Sequence, residues 1–472
     1  MTPLAIATAN NAPLTAANEP LNPRTTRLLE GPIVPTLLKL AAPNLVVLLV
    51  QSSIGLIEAY WVGKLGTDAL AGVALVFPAL MLMQMMSAGA MGGGIASAIA
   101  RAIGAKRQAD ANALVMHALL ISTALGIAFT IAMLIGGRAL YSAMGGQGAA
   151  LEAALTYSNI IFAGIVLLWI FNALASVLRG TGNMALPALV TGVGAVLVIP
   201  LSPLLIFGWG PFPQWGIAGG AAAVVLYYGG AIPFLAHAVW SGRNVVRPTL
   251  RETKIRRQLL YDILRVGLIA AVITVTTNLT VALTTSIVGN SGAAAIAGYG
   301  IGSRLEYLLI PLAFSLGAPL VAMVGTCIGA GKRERALRAA WSGALIAGVV
   351  AEAVGLAAAL FPAGWIAMFS ADADVIAFGS QYLHIVGPFY GFFGIGMVLY
   401  FASQGAGQLK WPLIAGLSRL AVAGFGGWLA YEWTHDLGAV FLALGLALTV
   451  FGSIVACAVW LGAWTRKEVM RA

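Results

Sequence analysis

The chain has 472 residues, of which 60% are hydrophobic and only 9% charged, with 58 glycines and a formal net charge of +10. A soluble core does not need that balance and disorder requires its opposite, so both are excluded. Apolar runs of bilayer length recur along the chain, which makes it an all-α integral membrane protein; the short alternating segments of a barrel are absent.

Residues 1–30 are polar and rich in Pro, Ala and Asn, without the basic region and cleavage motif of a signal peptide, and are expected to form a loose cytoplasmic tail. Twelve spans follow, predicted at 33–61, 67–100, 111–137, 150–178, 184–208, 216–241, 258–288, 293–330, 336–362, 379–402, 411–431 and 438–464. With the amino terminus inside, most of the 26 basic residues fall on the cytoplasmic side, Arg179 among them. Lys64 and Arg138 fall outside, while Arg304 and Arg419 fall within spans. That asymmetry is the positive-inside rule, so the basic excess reports topology rather than a nucleic-acid partner. Both termini are expected in the cytoplasm, and the partners expected are membrane lipid and a small molecule, with the protein a monomer.

The chain repeats itself. Residues 62–72, VGKLGTDALAG, match 288–298, VGNSGAAAIAG, at an offset of 226 that runs ungapped from Leu38-Lys39 to Lys106-Arg107. Arg179 to Asn183 and Pro187 match Gln404 to Gln408 and Pro412 at an offset of 225. The organisation is therefore a tail (1–30), an N-lobe of six spans (31–241), an inter-lobe loop (242–257) and a C-lobe of six spans (258–472). Six is even, so the lobes insert alike and are related by a pseudo-two-fold axis along the membrane normal, as in secondary transporters that rock about a central cleft. The second span of the N-lobe is longer than the bilayer is thick and must tilt, bend or protrude. Pro78, and Pro311 and Pro319 in its counterpart, are the expected bends.

Candidate functional residues begin on span one. Asn44, Gln51 and Glu58 are seven apart and form one polar stripe with Gly55, which should face a bundle interior or a wet cavity. Spacing alone also allows Glu58 to sit at the outer headgroups. In span seven, LIAAVITVTTNLTVALTTSIVG, Thr277, Asn278 and Thr284 are candidate cavity-lining residues. In span eight Glu306 lies near mid-membrane, where an unpaired charge is costly. Arg304 is two residues away and cannot face it on one helix. Tyr299 shares the face of Glu306, and Arg304 and Tyr299 join the candidate lining. Glu306 reads either as a coupling acid or as half of a structural ion pair. Glu352 and Arg419 suit contacts between helices. Cys327 and Cys457 read as small buried hydrophobes, and His117, His237 and His384 lack metal-ligand spacing.

Three motifs resemble the multidrug and toxic compound extrusion (MATE) family. They are Glu58 followed by Val62 to Gly72, the GAKR and AGKR ends of spans two and eight, and Arg179 to Pro187. The resemblance implies an inner-membrane antiporter rather than an enzyme, with no cofactor, which expels bulky, often cationic, amphipathic compounds as a proton or sodium ion enters. Glu58 stands at the position of the family's first-span coupling acid. The acids that some branches carry in spans seven and ten are missing, which favours protons over sodium. A lipid-linked oligosaccharide flippase of the same superfamily is the alternative, although its cavity would be strongly cationic. Lys332 lacks the glycine and hydroxyl spacing of a phosphate-binding loop, so the energy source is expected to be an ion gradient.

Overall fold

The structure, a computed structural model, describes residues 22–210, 212–242, 244–249 and 255–464, apart from the side chains of 48–56, 58, 59 and 307. The first lobe contains α1 (Pro23–Glu30), α2 (Ile33–Gly63) and α3 (Thr67–Gln84), which passes through a π-helical turn at Met85–Met91 into α4 (Gly92–Gly104). It continues with α5 (Gln108–Ala143), α6 (Gly148–Ala163), α7 (Ile165–Gly180), α8 (Ala185–Phe207) and α9 (Ile217–Trp240). The second lobe holds α10 (Arg257–Gly289), α11 (Ala293–Gly329), α12 (Arg333–Leu360), the short α13 (Pro362–Ile366) and α14 (Ala373–Val386). A tight turn at Gly387–Phe389 leads into α15 (Tyr390–Ala406), followed by α16 (Lys410–Ala421), a second π turn at Val422–Gly426, α17 (Gly427–Thr434) and α18 (Leu437–Trp460). Taking α3–α4, α6–α7, α14–α15 and α16–α17 each as one span gives twelve spans in two lobes of six. The α6–α7 span is bent by 46° at Gly164.

One expectation for the tail is corrected. Residues 23–30 are helical, and α1 is fastened to the second lobe. Arg335 donates from Nε to the Leu28 carbonyl at 3.0 Å and from Nη2 to the Gly31 carbonyl, and Lys332 pairs with Glu30 at 3.4 Å. His117 is a structural histidine: its Nδ1 lies 2.8 Å from the Ala113 carbonyl, and its Nε2 accepts the Arg256 amide of the inter-lobe loop at 2.9 Å. Of the two cysteines, Cys327 is buried as expected and Cys457 is not.

The repeat is visible in the backbone, with a register that differs from the ungapped one. Gly66 and Gly292 enter their spans in matching left-handed conformations, φ 116° and 99°, at an offset of 226. Beyond the first π turn the matching pairs are Lys106 with Gly331 (φ 57° and 73°) and Gly182 with Gly407 (φ 80° and 71°), each at 225. A π turn accommodates one extra residue. The first half uses that residue within Met85–Met91, whereas α11 is continuous, so the single gap lies there and not after Arg107. Pro311 and Pro319 sit inside the unbroken α11. The interruption in the N-lobe span comes after Pro78, in the stretch rich in methionine and glycine.

The lobes join at one end, where the spans carrying the basic motifs terminate. A Cβ on Gly104 would collide with the backbone of Thr326, and one on Gly329 with the backbone of Arg101. These two contacts exchange under the pseudo-symmetry, since both residue pairs are 225 apart. One at Gly325 would stand 2.8 Å from the Ala100 methyl, and one at Gly94 would stand 2.8 Å from the Ile263 carbonyl. Small residues therefore let the two helices meet backbone to backbone, the packing mode that membranes favour. Every residue from Ala90 to Ala100 and from Ser315 to Cys327 is buried. Towards the other end Leu70, Phe77 and Met81 on α3, and Ile296 and Leu308 on α11, are uncovered by protein. There α3 packs on α6, and α11 on α14, within their own lobes. The halves touch at the basic end and part above it.

Candidate transport cleft

At that contact lies a narrow cleft of about 10 Å³ lined by both lobes: Ala88, Gly89, Gly92, Gly93, Ala96, Ser176 and Arg179 from the first, and Phe314, Ala318, Val321, Phe401 and Gln404 from the second. Its floor is a hydrogen-bond network between lobes. Ser97 Oγ donates to the Gln404 carbonyl at 2.6 Å, and Arg101 Nη1 donates to Ser97 Oγ and to the Gly405 carbonyl, the latter at 3.3 Å. Gln404 Nε2 reaches back to the carbonyls of Gly89 and Ala90, at 3.2 and 3.3 Å. Both acceptors lie in the π turn, whose widened backbone presents carbonyls to an outside donor. The Gln404 side chain fills the space left by the absent side chain of Gly93.

Arg179 occupies the equivalent place in the other half, 225 residues before Gln404. Its guanidinium lies over the Phe314 ring of α11, 5.6 Å from the centroid. Its Nε and Nη1, together with Ser176 Oγ and Gln404 Oε1, are buried without a hydrogen-bond partner among the described residues. The sequence placed Arg179 among the basic residues of the cytoplasmic side, and the structure puts it in the cleft lining. The repeat carried the signal, an arginine matched to an uncharged glutamine between stretches that share Gly180 with Gly405, Gly182 with Gly407 and Pro187 with Pro412.

Among the expected site residues whose side chains are described, none is in the lining of this pocket. Glu58, Gln51 and Gly55 are on α2, and their side chains lie outside the described ones. Asn44, on the same helix, is half-buried with its amide nitrogen unpartnered. The polar residues of α10 satisfy themselves along their own helix: Thr277 Oγ1 donates to the Ile273 carbonyl at 3.0 Å, Asn278 Nδ2 to that of Thr274 at 2.9 Å, and Thr284 Oγ1 to that of Thr280 at 2.9 Å. Thr284 is fully buried and lines no opening, while Asn278 is exposed. Arg304 is also exposed and lies over Phe369, 5.6 Å from its centroid. Tyr299 is buried in an aromatic cluster inside the second lobe, against Tyr382 and Phe441.

Glu306 sits beside that cluster. Its Oε1 accepts from Arg419 Nη2 at 2.6 Å and its Oε2 from the Tyr382 hydroxyl at 3.3 Å, while the Arg419 guanidinium stacks on Phe393 at 5.2 Å. Both charges are largely withdrawn from the surface, with side-chain exposures of 18% and 7%. Glu306 thus ties α11 to α14 and α16. Glu352 serves α15: its Oε2 accepts the Gly391 amide at 2.8 Å. That amide belongs to the first turn after the break at Gly387–Phe389, where no helical carbonyl is available to it. An unpaired amide in lipid would cost several kcal/mol.

Paired six-span lobes clasped at one end around an inter-lobe cleft define a membrane transporter. The chain belongs to the MatE family, whose sequence model matches residues 43–204 and 270–427. It is 25% identical over 395 residues to the FAD transporter of Shewanella oneidensis, covering 84% of this chain and 87% of that one. It is 27% identical over 379 residues to the probable multidrug resistance protein NorM of Thermotoga maritima, covering 80% and 81%. A solved outward-facing multidrug resistance MATE family transporter superposes with a TM-score of 0.85 at 26% identity, over 95% of this chain and all of that one.

Proposed function

We propose that this protein is a secondary antiporter that exports bulky amphipathic compounds by alternating access, with H⁺ favoured over Na⁺ as the incoming ion. The observation that carries the reading is the clasp: among the described residues the lobes share a buried, small-residue contact at the basic end. With that end in the cytoplasm, the cleft opens outward, and exchange of the clasp for one at the far end would turn it inward. Relatives named as multidrug resistance proteins share this frame.

Coupling is assigned to Glu58 on the strength of its position in the sequence. A carboxylate in a partly dry cavity resists ionisation and can trade a proton for a cationic cargo. Glu306 has both oxygens engaged and is read as a fastening. The preference for protons rests on the sequence of spans seven and ten, where residues 268–289 and 379–402 carry no acid.

The test is ethidium efflux from cells lacking their own pumps, with proton and sodium gradients imposed separately. Efflux driven by protons and abolished in Glu58→Gln is expected. Unchanged efflux in the variant removes Glu58 from the mechanism. Absence of efflux by the parent returns the flippase reading, which the positive charge of Arg179 in the cleft would suit.

A further inference from the structure

We propose that the cleft binds an acidic group of the exported compound, a carboxylate or a phosphate, against Arg179. The two equivalent positions break the pseudo-symmetry. Gln404 Nε2 finds acceptors in the carbonyls of Gly89 and Ala90, which lie in the π turn of the first lobe. Arg179 faces the corresponding stretch of α11, Phe314 and Ser315, where the helix is unbroken and its carbonyls are committed to helical bonds. The arginine therefore meets a ring in place of an acceptor.

Stacking on Phe314 offsets part of the cost of removing the guanidinium from water. Its place in the last turn of α7 adds the favourable field of the helix carboxyl end. Neither supplies a hydrogen-bond acceptor, and two N–H donor groups stay unmatched. Five donors in a planar fork are suited to oxyanions, and charge-assisted bonds of this kind are the strong ones. Ser176 Oγ, also unpartnered and one turn earlier on α7, can donate a further bond to the same oxyanion. Among the described residues no carboxylate lies within ion-pair distance of Arg179, so the negative partner is expected to come with the cargo.

This inference rests on the reading of the protein as an exporter, and one pair of probes separates the two. Rhodamine B carries a free carboxyl group on a cationic ring system; its ethyl ester has the same rings and no acid. Full-length protein in proteoliposomes would be assayed for transport of each dye, and in detergent for binding of each by fluorescence anisotropy. The parent is expected to bind the acid more tightly than the ester. Arg179→Gln is expected to weaken the acid by about tenfold while leaving the ester within about twofold, and Arg179→Lys to recover part of the loss. Retained ester binding certifies that the variant is folded. Equal weakening of both dyes would assign Arg179 to the clasp with Phe314 and overturn the proposal, as would unchanged binding of both or a parent that prefers the ester. Should Arg179→Gln fail to fold, competition of rhodamine B by benzoate on the parent decides: displacement of the acid and not of the ester supports the site, and equal displacement refutes it. A parent that transports neither dye overturns the exporter reading itself.

Discussion

The second span of each lobe starts from the same plan and ends differently. In the N-lobe it is α3, a π turn and α4; in the C-lobe it is the single helix α11. The two enter through matching glycines and leave through matching left-handed residues, yet one contains a residue more than the other between those marks. That residue shapes the stretch of backbone at Gly89 and Ala90 on which Gln404 Nε2 finds its acceptors, whereas Arg179 meets the Phe314 ring. Pseudo-symmetry in such a molecule supplies the scaffold, and a single-residue departure from it supplies the chemistry.

The strongest way to break the comparison is to delete Ala88, which would return the first lobe to the register of α11. Each residue turns an α-helix by about 100°, so α4 would present another face to the second lobe. The contacts of Gly94 and Gly104 would be lost together, and the drop in stability should exceed the roughly 4–5 kcal/mol that marks an exceptional single change. Thermal unfolding in detergent would measure it, and a near-parental midpoint would refute the account of the π turn. The next effect concerns the fastening that only the second lobe has. Glu306→Ala should destabilise by about 3–5 kcal/mol because it leaves Arg419 buried and unpaired. Combining it with Arg419→Met should cost much less than the sum of the two, and a double-mutant cycle without coupling would deny the pair its role. The smallest effect compares Lys106 with Gly331, which share a left-handed backbone. Lys106→Gly should stabilise by about 1 kcal/mol and Gly331→Ala should cost about as much. Equal and opposite shifts in the unfolding midpoint would establish that the two turns are equivalent.

Much of this architecture was legible in the sequence because bilayer thickness and repetition are coarse signals. Twelve spans, two lobes and their parallel relation follow from hydropathy and from the VGKLG and VGNSG stretches alone. The location of the gap did not follow, since a π turn leaves composition and hydropathy unchanged. An ungapped match to Lys106-Arg107 scores well through basic residues that fit at either register. Thr277, Asn278 and Thr284 drew attention as polar groups in an apolar span, but hydroxyl and amide groups on a helix can return to the preceding turn, and these do. Arg419 as the partner of Glu306 needed three dimensions, because the two are on helices far apart in sequence. Arg179 was hidden for the converse reason. Its sequence neighbours are those of a solvated loop, and only the approach of α11 seals it in.

The join between α14 and α15 bears on how a span can be interrupted within a membrane. Because Glu352 on α12 holds the leading amide of α15, the lower segment is anchored sideways and does not depend on the upper one for its first bond. The tenth span thus runs continuously from α14 through the tight turn at Gly387–Phe389 into α15, with a lateral fastening to α12 at the junction. That side bond lets a glycine and a proline interrupt the regular ladder within the membrane without leaving the Gly391 amide bare.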